Sequence, residues 1–188
     1  MKKQILKVGF DLDGVLLYNP ARIARSIIAF IKKYVLKRDL SKFYYPKNKL
    51  ESWAWNFLHK SSLWPASGID IIHQLIKNKK IKAYIISARY ESLKADFNYW
   101  IKKIDPKKNF SGHYFNDENE QPYLFKEKII KKLNLDIYVE DNWDIVNHLS
   151  SSGRKIFWIY NILDRNKLFP NKFSSLNSVV TKIKKLIE

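Results

Sequence analysis

The chain has 188 residues, a length that suits one domain with a small insertion and allows a sizeable core. It carries 35 basic and 18 acidic residues, for a formal net charge of +17, and its lack of cysteine excludes disulfides, thiolate zinc sites and cysteine nucleophiles. The basic start at residues 1–3 precedes an apolar run too short for a signal peptide, and no apolar stretch is long enough for a membrane span. We therefore expect a soluble, cytoplasmic protein.

The positive charge has two interpretations. A strongly basic protein attracts partners that carry phosphate groups, including nucleic acids. However, only six of the 35 basic residues are arginine, and the chain is also rich in isoleucine and asparagine, as an A/T-rich coding sequence would give. Because the lysines are scattered in pairs at expected helix surfaces and ends, we favour compositional bias over a dedicated nucleic-acid surface and keep the second interpretation open.

Apolar runs alternate with helical patterns along the chain, which predicts an α/β fold built on a mainly parallel, Rossmann-like sheet in three layers. The predicted strands are Ile5 to Phe10, Ile81 to Ile86, the weaker Gly112 to Phe115, Ile137 to Glu140 and Lys155 to Tyr160. The predicted helices are Ser67 to Asn78, Glu91 to Lys103, Pro122 to Leu133, Asn142 to Leu149 and Leu176 to Ile187.

The connection between the first two strands is longer than a simple crossover needs. We therefore predict a small helical module inserted at residues 18–65, with residues 1–17 and 66–188 forming the core domain. Asn19 and Pro20 resemble the N-cap and first position of its first helix. Its aromatic residues either form a small internal core, or one or two of them face the active site and stack on a substrate ring. They are Phe43, Tyr44, Tyr45, Trp53, Trp55, Phe57 and Trp64.

Carboxylates follow two of the predicted strands at the point where each strand ends. The first strand runs into Asp11 and Asp13, and Ile137 to Glu140 is followed at once by Asp141. In an open parallel sheet, ligands bind at the carboxyl ends of the strands near the topological switch point. These acids, together with Ser87 at the end of the second strand, should therefore converge on one crevice.

Clustered carboxylates with one open face make a hard-cation site that suits Mg²⁺. A nearby lysine would offset their charge, and Lys126, at the start of a predicted helix, is placed to do so. A serine hydroxyl and the backbone N–H groups of a strand-to-helix turn can hold phosphate oxygens. The set therefore favours phosphoryl transfer, in which catalysis is mostly positioning and charge stabilisation.

Four segments in this order resemble the haloacid dehalogenase-like (HAD) superfamily. They are FDLDGV at 10–15, IISAR at 85–89, Lys126 and VEDNWD at 139–144. The resemblance implies a HAD core with a small C1-type cap at residues 18–65, and a hydrolase of the phosphatase type. It also implies a Mg²⁺ cofactor.

The resemblance implies a role for each matched residue. Asp11 would be the nucleophile that forms an aspartyl-phosphate. Asp13 would be the general acid/base, and its presence favours phosphoester hydrolysis. Mg²⁺ would be held by the Asp11 carboxylate, the Asp13 backbone carbonyl and Asp141. The phosphate-binding residues would be Ser87, Ala88, Arg89 and Lys126, although Arg89 could equally be a solvated charge.

Three assignments stay open at this point. Glu140 precedes the better metal ligand, Asp141, and would support it. Asp144 is either a further supporting group or an exposed acid favoured by the helix dipole. Lys128 could replace Lys126, which we prefer because it lies nearer the loop.

The layout most resembles the 5′(3′)-deoxyribonucleotidases, which implies a small phosphorylated metabolite, above all a nucleoside monophosphate, as the substrate. Aromatic cap residues would then stack on the base, and the protein would be a monomer or a homodimer. One alternative is an end-processing phosphatase for DNA or RNA, whose positive charge would guide the strand. Another is a non-enzymatic, basic nucleic-acid-binding protein on a HAD fold, which the intact acids oppose.

Overall fold

The computed structural model describes residues 5–20, 60, 62–151 and 153–188. In these ranges the strands are β1 Leu6–Asp11, β2 Leu17–Tyr18, β3 Trp64–Pro65, β4 Ile81–Ser87, β5 Gly112–Phe115, β6 Ile137–Glu140, β7 Lys155–Ile159 and β8 Lys172–Phe173. The α-helices are α1 Ile69–Lys77, α2 Lys94–Ile104, α3 Pro122–Leu133, α4 Trp143–Ser150 and α5 Leu176–Ile187.

Six of these strands form one parallel sheet in the order β5-β4-β1-β6-β7-β8. The first strand therefore lies in the centre, and the chain first builds the β4 and β5 side before it crosses to β6. The carboxyl ends of β1 and β6 meet where the strand order reverses, which is the usual place for a ligand crevice. The predicted fold class is confirmed.

Helices cover both faces of the sheet. Phe10 and Ile85 pack with the three helices α1, α2 and α5. We call these three helices the α2 layer. Tyr138 and Ile86 pack with α3 and α4, which we call the α3 layer. Burial on both faces explains why the strands read as nearly continuous apolar runs. Neighbouring residues of a strand point to opposite faces of the sheet. Because Phe10 faces the α2 layer, Asp11 faces the α3 layer.

The strands β2 and β3 pair antiparallel, with Leu17 opposite Pro65 and Tyr18 opposite Trp64. The chain therefore enters and leaves the segment between them at adjacent positions, as an inserted module requires. The rings of Tyr18 and Trp64 stack with their centroids 4.7 Å apart, and both are largely exposed. The helix predicted from Asn19 and Pro20, and every other aromatic residue of the predicted insertion, lie outside the described residues.

The element boundaries differ from the predicted ones in small ways. The helix predicted from Glu91 begins with a 3₁₀ turn, Glu91–Leu93, and becomes α-helical only at Lys94. The strands β2, β3 and β8 were not predicted, because two residues are too few to show an alternating pattern. Among the helices of the described ranges, none has both the length and the apolar character to cross a bilayer.

Candidate active site

Asp11 lies in a buried cluster with a lysine and a glutamate. Lys126 Nζ is 2.9 Å from Asp11 Oδ1 and 2.7 Å from Glu140 Oε2. Lys126 reaches this point because α3 begins at Pro122 and turns its buried residues, Phe125 and Ile129, toward the sheet. The three charged residues are each at most 5% exposed, so their charges interact strongly.

Glu140 fixes both the lysine and the turn that follows β6. Its Oε2 accepts from Lys126, while its Oε1 accepts from the backbone N–H groups of Asp141 and Asn142 at 3.2 and 3.1 Å. Both oxygens of Glu140 are thus engaged in hydrogen bonds. Asp144 lies in the first turn of α4, where its N–H donates to the side chain of the N-cap residue Asn142.

The structure distinguishes the two candidate lysines. Lys128 has a side chain that is 58% exposed and pairs with Glu120 at 2.8 Å, away from the acids. Lys126 is fully buried against Asp11. The preference for Lys126 therefore agrees with the geometry.

Asp141 lies directly against the turn after β1. Gly14 has a φ of +78°, and a Cβ built on it would lie 2.1 Å from Asp141 Oδ2. A side chain at position 14 would therefore displace this carboxylate. The backbone carbonyl of Asp141 accepts a hydrogen bond from the buried Trp158 Nε1 at 3.2 Å, which fixes the start of the turn.

The donors suit a divalent cation. Asp11, Glu140 and Asp141 each offer a carboxylate oxygen, and the three oxygens lie within 4.8 Å of one another. Oxygen ligands of this kind are those that Mg²⁺ prefers. Four carboxylates of this region are buried, namely Asp11, Asp13, Glu140 and Asp141, against the two cations Arg89 and Lys126. The ionised cluster would therefore carry an excess of negative charge that Mg²⁺ could neutralise.

Asp13 has different partners. Arg89 donates from Nε to Asp13 Oδ2 and from Nη2 to Asp13 Oδ1, both at 2.7 Å. Ser62 Oγ donates to Asp13 Oδ1 at 2.5 Å and accepts from Asn19 Nδ2 at 3.3 Å. The Arg89 guanidinium also donates from Nη1 to Asp96, in the first turn of α2. Asp13 is thus held by an arginine and a serine, whereas Asp11 is held by a lysine.

The expected phosphate-binding residues lie at different depths. A cavity is lined, in the described part of the chain, by Asp11, Asp13, Ala88, Arg89, Tyr90, Pro122, Lys126, Glu140, Asn142 and Ile145. Ser87 is not part of this wall: its side chain is buried, and its Oγ accepts from the Arg89 backbone N–H at 3.4 Å. The structure therefore brings all but Ser87 and Asp141 of the predicted site residues onto the cavity wall.

Burial and charge shift the pKa values of these groups. Burial raises the pKa of Asp11 well above its usual value, and the carboxylates of Glu140, Asp141 and Asp13 add to this rise, while Lys126 opposes it. Burial lowers the pKa of Lys126, but the charges of Asp11 and Glu140 outweigh it and raise the pKa above its usual value. Burial likewise lowers the pKa of Arg89, but Asp13 and Asp96 outweigh it.

Ser62 and Asp96 were not singled out in the sequence. Ser62 is 49 residues from Asp13 along the chain, and no motif surrounds it. Asp96 resembles an ordinary acid in the first turn of a helix, where the dipole favours negative charge. The sequence signal for Asp96 was its spacing seven residues after Arg89, in the first turn of the helix that follows this arginine.

No family profile matches the chain, and no curated protein matches it in sequence. Solved structures match it in fold. A haloacid dehalogenase-like family hydrolase from Streptococcus pneumoniae matches with a TM-score of 0.60 and 16% identity over 95% of this chain and 98% of that one. CbbY from Rhodobacter sphaeroides, solved in complex with phosphate, matches with a TM-score of 0.60 and 10% identity over 94% and 96%.

YfnB from Bacillus subtilis, described as a HAD hydrolase and solved with bound magnesium, matches with a TM-score of 0.61 and 10% identity. The match covers 97% of this chain and 100% of YfnB. At such low identity these likenesses establish the fold alone. The chain shares the fold of the haloacid dehalogenase-like hydrolases.

Proposed function

We propose that the protein is a Mg²⁺-dependent phosphomonoester hydrolase that forms an aspartyl-phosphate on Asp11. The observation that carries this proposal is the buried contact between Lys126 and Asp11, beside the carboxylates of Glu140 and Asp141. A lysine in this position favours the ionised, nucleophilic form of Asp11 and opposes burial and the neighbouring carboxylates, which raise the pKa of this group.

In the first step, a carboxylate oxygen of Asp11 attacks the phosphorus atom of the substrate. The bond between phosphorus and the leaving oxygen breaks, and Asp13 donates its proton to that oxygen. Lys126 lies beside Asp11 and stabilises the negative charge of the phosphoryl group during transfer. The alcohol leaves, and the phosphoryl group remains on Asp11.

In the second step, Asp13 accepts a proton from a water molecule as the water oxygen attacks the same phosphorus atom. The bond between phosphorus and the Asp11 oxygen breaks, which releases inorganic phosphate and restores the carboxylate. Asp13 regains its proton in this step, so it is ready for the next substrate.

Asp11, Asp141 and the backbone carbonyl of Asp13 would hold the Mg²⁺ ion. When bound, the ion would neutralise charge on the phosphate and on the clustered acids. Glu140 supports this set from behind, since its oxygens already accept from Lys126 and from the following turn. Ala88 and the backbone after β4 would contact the phosphate oxygens, together with Lys126, and Ser87 would stabilise that backbone turn.

The leading substrate class is the nucleoside monophosphates, as small phosphorylated metabolites that carry a ring able to stack on aromatic residues. A DNA or RNA end would be the second candidate. The described lysines in the last turns of α1, α2 and α3 oppose it, because these helices precede β4, β5 and β6 and so end at the edge of the sheet away from the site. They include Lys77, Lys102, Lys103, Lys131 and Lys132.

The test is phosphate release, with Mg²⁺ or with EDTA, from nucleoside 5′- and 3′-monophosphates, sugar phosphates and phosphorylated oligonucleotides. We expect Mg²⁺-dependent release from nucleoside monophosphates and none from the Asp11→Asn variant. Activity on oligonucleotides alone, with a steep dependence on salt, would support the nucleic-acid alternative instead. Equal activity of Asp11→Asn and the wild type would contradict the proposed mechanism.

A further inference from the structure

The contact between Arg89 and Asp13 is a buried, bidentate ion pair. The donors Nε and Nη2 lie on one edge of the guanidinium, and each is 2.7 Å from a different oxygen of the Asp13 carboxylate. Arg89 is 5% exposed and Asp13 is 9% exposed. Two parallel hydrogen bonds of this kind fix the plane of the carboxylate as well as its position.

The other side of the guanidinium is also held. Arg89 Nη1 donates to Asp96 Oδ2, and the next residue of α2, Phe97, is buried in the core of the α2 layer. Asp96 thus connects Arg89 to a packed helix. Ser62 adds a third donor to Asp13, at 2.5 Å on Oδ1, from the segment that returns to the core just before β3.

This arrangement differs from that of an arginine that binds phosphate. Such an arginine directs the fork of its guanidinium at the anion. Here the fork of Arg89 faces Asp13, and Nη1 faces Asp96. A phosphate group that took the Nε–Nη2 edge of Arg89 would displace a buried carboxylate, which would leave a charge without its partner at a high cost.

We propose that Arg89 is a positioning residue that fixes the carboxyl group of Asp13 for proton transfer, with Asp96 holding Arg89 in place and Ser62 completing the contact. The ion pair is the form of Asp13 that accepts a proton in the second step. Each hydrogen bond from Arg89 needs only one lone pair of its oxygen, so the contact can persist in the acid form that donates the proton in the first step. The inference rests on the proposed function, because it assigns Arg89 a task in the proton transfers of Asp13. It replaces the expectation that Arg89 binds phosphate. Arg89 therefore acts through Asp13, and the edge of its guanidinium that would grip a phosphate is directed at Asp13 instead.

The test compares Arg89→Ala with the wild type in steady-state kinetics and in inhibition by inorganic phosphate. We expect kcat to fall by roughly 10²-fold, because general acid–base catalysis contributes about 10²–10⁴. KM and the inhibition constant of phosphate should change by less than about threefold, since no contact to phosphate is lost. Added guanidinium should restore part of kcat. A weakening of phosphate inhibition by tenfold or more, with kcat nearly unchanged, would overturn the proposal.

A double-mutant cycle tests whether Arg89 acts through Asp13. Arg89→Ala should have little further effect on kcat in the Asp13→Asn background, because the group that Arg89 positions no longer transfers a proton. Additive losses in the two backgrounds would contradict the inference. If the wild type released no phosphate from any substrate tested, or if Asp11→Asn were fully active, the proposed function itself would be contradicted.

Asp96→Asn provides a second test if the Arg89 variants do not fold. Asp96 is part exposed, and asparagine keeps its shape while removing its charge. We expect a smaller fall in kcat, with phosphate inhibition unchanged, and no additional fall in the Asp13→Asn background. The matched control is Asp117→Asn, which breaks the exposed pair between Lys94 and Asp117 and should leave kcat unchanged. An Asp96 variant that behaves as this control does would overturn the part assigned to Asp96.

Discussion

Asp11 and Asp13 are separated by one residue, yet each is paired with its own cation, one from a helix and one from the loop after a neighbouring strand. Asp11 is paired with Lys126 from the α3 layer, whereas Asp13 is paired with Arg89, which α2 holds through Asp96. The lysine contacts Asp11 through one hydrogen-bonding atom, and the arginine contacts Asp13 through two. In the proposed mechanism, Lys126 thus contacts one oxygen of the group that forms a bond to phosphorus, whereas Arg89 fixes the plane of the group that transfers protons.

The largest effect is expected when Asp11 itself is replaced. Asp11→Asn removes the nucleophile and should lower the rate of phosphate release by at least ~10³-fold, the scale seen when a covalent nucleophile is removed. Phosphate release and trapping of a phosphorylated intermediate would measure it. The same intermediate should form in Asp13→Asn, because Asp13 is not the group that carries the phosphoryl. Labelling of the Asp11→Asn chain would contradict the assignment.

Replacing Lys126, the cation paired with Asp11, should lower stability as well as activity. Lys126→Met leaves buried carboxylates without their partner, which typically destabilises a protein by about 3–5 kcal/mol. Urea denaturation would measure the loss. Lys128→Met is the matched control, because that lysine is exposed and pairs with Glu120 at the surface, and it should leave stability and activity unchanged. A similar loss in both variants would contradict the distinction between the two lysines.

A smaller effect concerns the proximity of Gly14 to Asp141. Gly14→Ala should displace the Asp141 carboxylate, because the added Cβ would lie 2.1 Å from its Oδ2, and the φ of +78° disfavours alanine. We expect a loss of about 1–3 kcal/mol in stability and weaker Mg²⁺ binding by calorimetry. Gly153→Ala serves as the control, since it has a similar φ of +72° and open space around it. Equal Mg²⁺ affinity in the two variants would contradict this account of Asp141.

The smallest expected effect is a pH dependence of stability in the absence of metal. Because the pKa of Asp11 is raised in the folded state, its contribution to the free energy of unfolding is present below its ordinary pKa and is lost as pH rises through the folded pKa. The melting temperature of Asp11→Asn should therefore rise relative to that of the wild type as the pH increases above about 4. Thermal denaturation in EDTA would measure this gain, and a constant difference would contradict it.

The sequence predicted the Asp11 side well, because its residues stand at strand ends and at a helix start. Asp11 and Glu140 follow buried apolar runs, and Lys126 directly follows Phe125 on the buried face of α3, whereas Lys128 lies on the other face. The helix pattern alone left that choice open. Packing against the sheet places Lys126 beside Asp11 and leaves Lys128 at the surface.

The residues that hold Asp13 and its arginine could not be predicted in the same way. Ser62 reaches Asp13 through the pairing of β2 with β3, which are too short to leave a pattern in the sequence. Asp96 meets Arg89 only because α2 begins beside the end of β4. Such contacts depend on how segments distant in sequence approach one another, and local sequence patterns do not predict that approach.

The pairing of β2 with β3 also has an evolutionary consequence. Since Leu17 stands opposite Pro65, and Tyr18 opposite Trp64, the stretch between them can lengthen, shorten or be exchanged without shifting the register of the six-stranded sheet. A graft that retained Asn19 and Ser62 would also retain the hydrogen bonds that reach Asp13. The chain thus offers an exchange point at which selection, or an engineer, could replace the segment between β2 and β3 while the sheet and the buried contacts of Asp11 and Asp13 are inherited unchanged.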